Sequence, residues 1–186
     1  MRTLSIFLVF ASLLLSCRNK QQPQMVESVT QVAETPVAGK VVIDATKDAE
    51  YVVDTYANAL YAIKAAEVVK RNTKRDDIKS VAEKIEAANK KIFSELDKLA
   101  SSKKISLPSN LNMAQITDLN KLANDTNPEK LFLNQMEAEH KEGMTLLEKI
   151  SKESEDNEIS TVAISCLASV KLQYEEVLAT KERMDL

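Results

Sequence analysis

The sequence contains few of the residues that most often carry chemistry. It has no tryptophan, two glycines, two cysteines and one histidine among 186 residues. Loops that bind the phosphates of nucleotides need several glycines close together, so a nucleotide site of that kind is excluded. A single histidine also restricts metal sites, because helical-bundle sites for two iron ions require a histidine on each of two helices.

The cysteine and charge counts exclude two further classes. Beyond the first 17 residues the only cysteine is Cys166, so the fold cannot depend on internal disulfides. Without residues 1–16, which include Arg2, 24 of the 25 basic residues remain against 28 acidic ones, a net charge of −4. Nucleic-acid binding requires a basic face, and we therefore expect no nucleic-acid partner.

The N-terminus resembles the signal peptide of a bacterial lipoprotein. Arg2 precedes an apolar run from Leu4 to Leu15, which is short for a membrane span of about 20 residues but suits a secretory signal. The run ends in Leu-Leu-Ser-Cys, similar to a lipobox, although an ordinary signal peptide followed by a chance cysteine has the same outline. We predict a signal peptide over residues 1–16 and lipidation of Cys17, which would attach the protein to a membrane.

The residues after Cys17 predict the location of the protein and a tether. Arg18 stands where an aspartate would retain a Gram-negative lipoprotein in the inner membrane. By that resemblance we expect an outer-membrane lipoprotein of the cell envelope that faces the periplasm. Residues 17–43 are rich in glutamine and contain Pro23, Pro36 and Gly39, a composition typical of a flexible tether.

Residues 44–186 show helical periodicity throughout and predict an all-α domain. Apolar residues spaced three and four apart, such as Val53, Tyr56, Leu60 and Ile63 in the first helix, predict four long helices and a short amphipathic segment. Their predicted ranges are 45–72, 75–102, 113–124 for the short segment, 128–153, and 157 onwards. Amphipathic helices of this length bury their apolar stripes best against one another, as a four-helix bundle.

The lengths of the connections refine the predicted bundle. Tight turns join the first helix to the second and the third to the fourth, so each pair forms an antiparallel hairpin. The connection between the second and third long helices is about 25 residues, enough to run the length of the bundle. A single long crossover is typical of ferritin-like bundles.

Four polar residues interrupt or adjoin the predicted apolar stripes. Asn89, His140 and Gln173 fall near the middle of three different helices, and Glu137 lies one turn before His140. We therefore predict one small polar cluster inside the bundle, formed by Asn89, His140 and Gln173, with Glu137 beside it as a further candidate site residue. Cys166 also falls on an inner stripe, where we interpret it as a small buried hydrophobe rather than a nucleophile.

These features resemble a family of exported bacterial ferritin-like proteins of unknown function. The similarity rests on the lipobox, the two hairpins, KKISLPSNL after the second helix and FLNQMEAEHKEGMTLLEKIS in the third. The family is domain of unknown function family 4142, whose members are often described as outer-membrane proteins. The resemblance implies histidines on three helices, of which only His140 is present here, with Asn89 and Gln173 at the other two positions.

Three interpretations of His140 remain open. A di-iron site needs a Glu-x-x-His motif on each of two helices. Glu137 and His140 form one such motif, whereas Asn89 replaces the histidine after Glu86. We favour a buried polar cluster in which the imidazole and the two amides satisfy one another. A weak or degenerate metal site at His140 and an acid–base role are the alternatives.

The sequence therefore predicts an envelope protein that is not an enzyme and needs no cofactor. In the favoured hypothesis the bundle has a structural or interaction role, with another envelope protein or a second copy of itself as the partner. In the alternative it is a ferritin-like protein that binds iron, zinc or copper in the periplasm.

Overall fold

The computed structural model describes residues 47–186, all of them within the predicted helical domain. They form five helices, named α1 (Lys47–Asn72), α2 (Asp76–Lys103), α3 (Met113–Asn124), α4 (Pro128–Glu153) and α5 (Asn157–Arg183). The predicted all-α fold is confirmed, and the predicted helix ends lie within about two residues of the observed ones. The predicted signal peptide, the lipidation site Cys17 and the tether up to residue 43 lie outside the described residues.

Polar caps set the starts of the later helices. The Asn127 side chain accepts a hydrogen bond from the backbone N–H of Lys130, and Pro128 occupies the first turn of α4. The Asp156 side chain accepts from the N–H groups of Glu158 and Ile159 at the start of α5. These caps confirm that α4 and α5 begin where the sequence predicts.

Contacts near opposite ends of the helices define the topology. Lys47 and Thr73, at the two ends of α1, contact Glu153 and Glu129 of α4, so these helices are antiparallel. The same argument holds for α2 with α5, where Lys84 pairs with Glu176 and Lys103 with Asp156. The hairpins α1–α2 and α4–α5 are antiparallel as well, through the pairs Lys70–Glu86 and Lys181–Glu137. It follows that α2 and α4 are parallel.

Because α2 and α4 are parallel, the segment that joins them must run the length of the bundle, and α3 lies in that segment. Helix α3 packs against α1 and α4, whose shared face it covers. Leu122 of α3 is fully buried, and Gln115 Nε2 donates to the carbonyl oxygen of Ala57 at 3.4 Å. The crossover confirms the ferritin-like arrangement of two hairpins.

The apolar core is divided into two halves. The half beneath α3, called here the covered half, consists of Tyr61, Ala62, Ala65, Ala66, Val69, Ile78, Val81, Ala82, Ile85, Leu122, Phe132, Leu133, Met136 and Val177. The uncovered half consists of Tyr51, Val52, Tyr56, Ala59, Ile92, Leu96, Leu99, Ala100, Leu147, Ile150, Ile159, Ala163, Cys166 and Val170. Polar residues lie between the two halves.

Helix α1 is buried over a wider arc than its predicted stripe. Tyr56 and Ile63 are buried as expected, whereas Val53 and Leu60 are only half-buried. Tyr61 and Ala65 are almost completely buried, although the predicted stripe leaves them out. The reason is that α3 packs on a second flank of α1, beside the flanks occupied by α2 and α4.

Candidate functional site

Three of the four predicted site residues form a polar layer between the halves of the core. Asn89 of α2, His140 of α4 and Gln173 of α5 are 4 %, 4 % and 5 % exposed. Along each helix the layer is flanked by apolar residues of both halves; on α2, for example, Ile85 precedes Asn89 and Ile92 follows it. The three residues lie at similar distances along the bundle axis, because each is about the same number of helical turns from the same end of the bundle.

The two amides of the polar layer bind each other. Asn89 Nδ2 donates to Gln173 Oε1 at 2.6 Å and also to the carbonyl oxygen of Ile85 at 2.9 Å. Gln173 Nε2 donates in turn to the carbonyl oxygen of Ser169 at 3.3 Å. This pair joins the two hairpins through the core, and it satisfies groups that would be costly to bury alone.

The His140 imidazole does not share this pairing. Neither Nδ1 nor Nε2 has a hydrogen-bond partner among the described residues, so the predicted three-way cluster is only partly formed. Burial lowers the pKa of His140 to about 4. The nearby Gln173 side chain partly opposes this lowering of the pKa, although its geometry does not make a hydrogen bond to the ring. At neutral pH the ring is uncharged, so one nitrogen carries a hydrogen that it can donate and the other has a lone pair for a hydrogen-bond donor or a metal ion.

A small pocket lies against His140 in the middle of the bundle. It is lined by Thr55, Asn58, Ala59 and Ala62 of α1, Asn89 and Ile92 of α2, Glu139, His140, Gly143, Leu146 and Leu147 of α4, and Val170 of α5. Its volume is about 30 Å³. One water requires roughly 10–15 Å³, so the pocket holds a ligand of only two or three water-sized groups.

Gly143 helps to create this pocket. It lies one turn after His140, and a Cβ placed on it would come no closer than 3.9 Å to any neighbouring group, the nearest being Val170 Cγ1. That distance is ordinary van der Waals contact, so glycine is not required by close helix packing. Its backbone is helical and needs no glycine either. The missing side chain therefore contributes open space rather than a tight helix crossing.

Glu139 is a site residue that sequence reasoning missed. It lines the pocket beside His140, and burial raises its pKa to about 7, with additional repulsion from Glu142 and Asp118. Asp118 belongs to α3, whose position on the bundle depends on the crossover rather than on local sequence. The only available signal was a glutamate next to the histidine, which is common on helices.

Glu137 lies away from the pocket, in contrast to the prediction. Its carboxylate forms an ion pair with Lys181 across the α4–α5 interface. Consecutive helical residues are separated by about 100° around the axis, so Glu137 and Glu139 lie on different flanks of α4. The flank with Glu137 faces α5, whereas the flank with Glu139 faces the pocket.

The remaining reactive groups offer no conventional catalytic or metal centre within residues 47–186. Cys166 is fully buried, and burial raises the pKa of its thiol to about 12, which disfavours the nucleophilic thiolate. No group of three or more histidine, cysteine, aspartate or glutamate side chains in this range is arranged to hold a metal ion. None of the five helices combines the length and apolar character needed to cross a membrane.

The fold and the site together define a ferritin-like four-helix bundle with a polar layer and a small central pocket. The chain belongs to the family described as Domain of unknown function (DUF4142), whose sequence profile matches residues 32–180. The predicted family is thereby confirmed. No curated protein has a sequence that matches this chain significantly.

Solved structures of other proteins have a similar fold, among them a DUF305 fragment and CopM. The DUF305 fragment from Deinococcus radiodurans superposes with a TM-score of 0.66 at 10 % identity, covering 73 % of this chain and 95 % of the fragment. CopM in its Cu(I)-bound form superposes with a TM-score of 0.63 at 16 % identity, covering 74 % of this chain and 96 % of CopM. At these identities the similarity concerns the helical fold alone.

Proposed function

We propose that this protein is a lipid-anchored protein of the bacterial cell envelope that binds a ligand rather than catalysing a reaction. Support for the anchor comes from the sequence Leu14-Leu15-Ser16-Cys17, and Arg18 favours the outer membrane. The anchored domain would face the periplasm at the end of the tether. Replacement Cys17→Ser should release the protein from the membrane fraction and block processing of the signal peptide. Unchanged membrane fractionation would refute the lipoprotein assignment.

The His140 pocket is the proposed ligand site. The observation that carries this proposal is a neutral imidazole that is almost completely buried, lines a pocket, and has no hydrogen-bond partner on either nitrogen among residues 47–186. An unsatisfied buried polar group costs about 1–3 kcal/mol, so a ligand that bonds to His140 would recover part of that cost. The volume restricts the ligand to a metal ion or a molecule of a few atoms, and excludes sugars, nucleotides and haem.

Binding explains the site better than catalysis does. A general base or an activated nucleophile requires a partner within hydrogen-bonding reach that positions it. His140 has no such partner among residues 47–186, and the Cys166 thiol is buried and protonated. The side chains best able to contact a ligand are His140, Glu139 and the carbonyl oxygen of Asn89, whose amide nitrogen already makes two hydrogen bonds.

Two matched substitutions test the pocket. His140→Leu removes both nitrogens at similar volume, whereas Gly143→Ala keeps the nitrogens but places a methyl group in the pocket. We expect both variants to lose a ligand that co-purifies with the wild type, as measured by elemental analysis and native mass spectrometry of untagged full chain. Gly143→Ala should also raise the stability of the ligand-free protein by about 1 kcal/mol. Ligand retained by both variants would refute the proposed site.

Copper handling is a second candidate function. CopM, a structural neighbour, is known in a Cu(I)-bound form. In this chain Met136 and Met144 lie one helical turn before and after His140, and thioether and imidazole groups are suitable ligands for Cu(I). Neither methionine lines the pocket, so His140 would be the principal ligand.

Titration of the full chain with Cu(I) against a chelator tests this candidate. At a free Cu(I) concentration a hundredfold above the dissociation constant, stability should rise by about 2.7 kcal/mol. His140→Leu should abolish the increase, and Met144→Leu should reduce it. No shift with Cu(I), together with a co-purified ligand of another kind, would leave the pocket proposal standing and refute copper.

A further inference from the structure

Helix α5 has two apolar faces, and only one of them packs in the core. The outer face carries Ile164, Ala168, Leu172 and Ala179, whose spacings of four, four and seven residues place them on one side of the helix. Ile164 is 56 % exposed and Leu172 is 68 % exposed. Exposed apolar residues on one side of a helix are candidates for contact with another protein when they adjoin a groove, although the exposed Glu175 shares this side of α5.

A groove of about 600 Å³ runs between α2 and α5 beside this row. It lies on the side of the bundle opposite the α1–α4 face, since α2 and α5 pack against each other while α1 packs against α4. Helix α3 covers the α1–α4 face, and no described helix covers the α2–α5 face. Within residues 47–186, the α1–α4 face is thus covered by a fifth helix, whereas the equivalent α2–α5 face is not.

The register across the groove places a large residue beside a small one. Lys84 pairs with Glu176, and Ser165 Oγ donates to a carboxylate oxygen of Glu95 at 3.3 Å, which fixes the antiparallel alignment of α2 and α5. At this alignment Ala88 of α2 lies level with Leu172 of α5, and both line the groove. Leu172 projects into solvent, and the space over Ala88 is open.

We propose that the α2–α5 face binds a second copy of this chain in a symmetric dimer. Its two-fold axis runs parallel to the helices and between Ala88 and Leu172. This axis places α2 of each copy over α5 of the other, because a two-fold contact joins the same surface patch in both copies. Leu172 of each copy then packs over Ala88 of the partner subunit, so each large side chain occupies the space beside a small one.

The charges at the rims of the groove favour this arrangement. The α2 rim carries Lys84 and Lys91, whereas the α5 rim carries Glu175 and Glu176. The proposed axis brings the basic rim of each copy over the acidic rim of the other. A two-fold axis perpendicular to the helices would instead place lysines over lysines and glutamates over glutamates, which is unfavourable. Lys84 and Glu176 already pair within one copy, and Lys91 and Glu175 add the charges that favour this orientation of two copies.

Chemical cross-linking of the full chain in its bacterial host tests the dimer. Leu172→Cys places a thiol near the proposed axis, and a short bis-maleimide should then join two copies into a species of twice the chain mass. Met113→Cys is the matched control, because Met113 is 72 % exposed but lies on α3, away from this face. The unmodified chain controls for Cys17 and for the buried Cys166.

We expect the dimer band with Leu172→Cys and its absence with Met113→Cys and with the unmodified chain. The double variant Leu172→Cys, Lys84→Glu should lose the band, because it places a glutamate opposite the acidic rim of the partner subunit. The triple variant that also carries Glu176→Lys should regain the band, because both rims then have reversed charges. Equal cross-linking of Met113→Cys, or a band insensitive to Lys84→Glu, would overturn the proposal. Cross-linking of Leu172→Cys to a different envelope protein would overturn it as well.

Discussion

The covered and uncovered halves of the core are built from the same four helices but differ in how completely they are closed. Most residues of the covered half have no exposed surface, and Leu122 of α3 is one of them. Residues of the uncovered half retain slight exposure, and partly buried side chains such as Phe93, which stacks on Tyr56 with ring centroids 4.2 Å apart, complete it. Four helices alone leave grooves along their contacts, and a fifth element closes one of them.

The difference between the halves coincides with the location of the candidate sites. Ala59, Ile92, Leu147 and Val170, which line the His140 pocket, all belong to the uncovered half. The open α2–α5 groove also lies on a face that α3 does not reach. The His140 pocket is thus lined mainly by the uncovered half, although Ala62 of the covered half also contributes to its wall.

The largest expected change in the free energy of unfolding comes from substituting two equivalent isoleucines on α2. Ile85 lies in the covered half and Ile92 in the uncovered half, with Asn89 between them. We expect Ile85→Ala to cost about 4 kcal/mol and Ile92→Ala about 2–3 kcal/mol, because Ile85 has no exposed surface whereas Ile92 retains slight exposure. Urea unfolding measures both; an equal or larger cost for Ile92→Ala would contradict the comparison.

Removing the contact that α3 makes with the core should reduce the difference between the halves. Leu122→Ala is expected to cost about 3 kcal/mol, since it opens a cavity at a fully buried position. Hydrogen exchange should rise in α1 and α4 near α3 but not along α2 and α5. Met113→Ala, at the exposed start of α3, should change stability by less than about 0.5 kcal/mol. Uniform exchange throughout the bundle would show that α3 does not seal one half selectively.

The polar layer between the halves should respond unequally to loss of its members. Asn89→Leu removes the donor to Gln173 and should cost about 2 kcal/mol, because Gln173 Oε1 is then buried without a partner. His140→Leu removes no hydrogen bond between described residues and should cost less than about 1 kcal/mol, or stabilise the protein. Thermal unfolding of metal-free protein compares the two. A greater cost for His140→Leu would mean that the imidazole supports the amides after all.

The smallest expected effect is the dependence of protein stability on pH that Glu139 causes. Because the folded-state pKa of Glu139 is raised to about 7 from 4.5, the folded state holds this proton more tightly than the unfolded state does. Its contribution to stability is therefore greatest below pH 4.5 and declines as the pH rises to 7. The difference between a pKa of 4.5 and one of about 7 corresponds to about 3 kcal/mol, which solvent screening reduces because Glu139 is only partly buried. We therefore expect Glu139→Gln to raise the free energy of unfolding by about 1 kcal/mol at pH 8 and not at pH 4. Glu137→Gln, which loses the ion pair with Lys181, serves as a control that should show no gain at pH 8.

Much of the fold was predictable because local chemistry specifies it. Asn127-Pro128 and Asp156-Asn157 mark helix starts that depend only on capping, and the length of the second connection implies that α2 and α4 are parallel. Counting residues from those starts also predicted the shared height of Asn89, His140 and Gln173. These inferences need the helical repeat and the caps but no knowledge of how neighbouring helices rotate.

Which residues line the His140 pocket depends on how the helices are rotated about their axes, and this rotation was not predictable from the sequence. Whether Glu137 or Glu139 approaches His140 is decided by which flank of α4 faces α5. The burial of Glu139 and Tyr61 depends on α3, whose docking position no local pattern specifies. Similarly, three buried polar residues at one height do not reveal which two will pair. The sequence pattern indicated the polar layer, and only packing distinguished the bonded amides from the unpaired imidazole.

The antiparallel hairpins joined by a crossover have a consequence for the order of assembly. Contacts within α1–α2 and within α4–α5 link residues close in the chain, so each hairpin closes a short loop at low entropic cost. The bond between Asn89 and Gln173 spans 84 residues and joins the two hairpins. We expect it to form late, when the hairpins dock. A chain that becomes available from its N-terminus onwards would thus complete α1–α2 before α5 arrives, and docking of the hairpins would be the rate-limiting event.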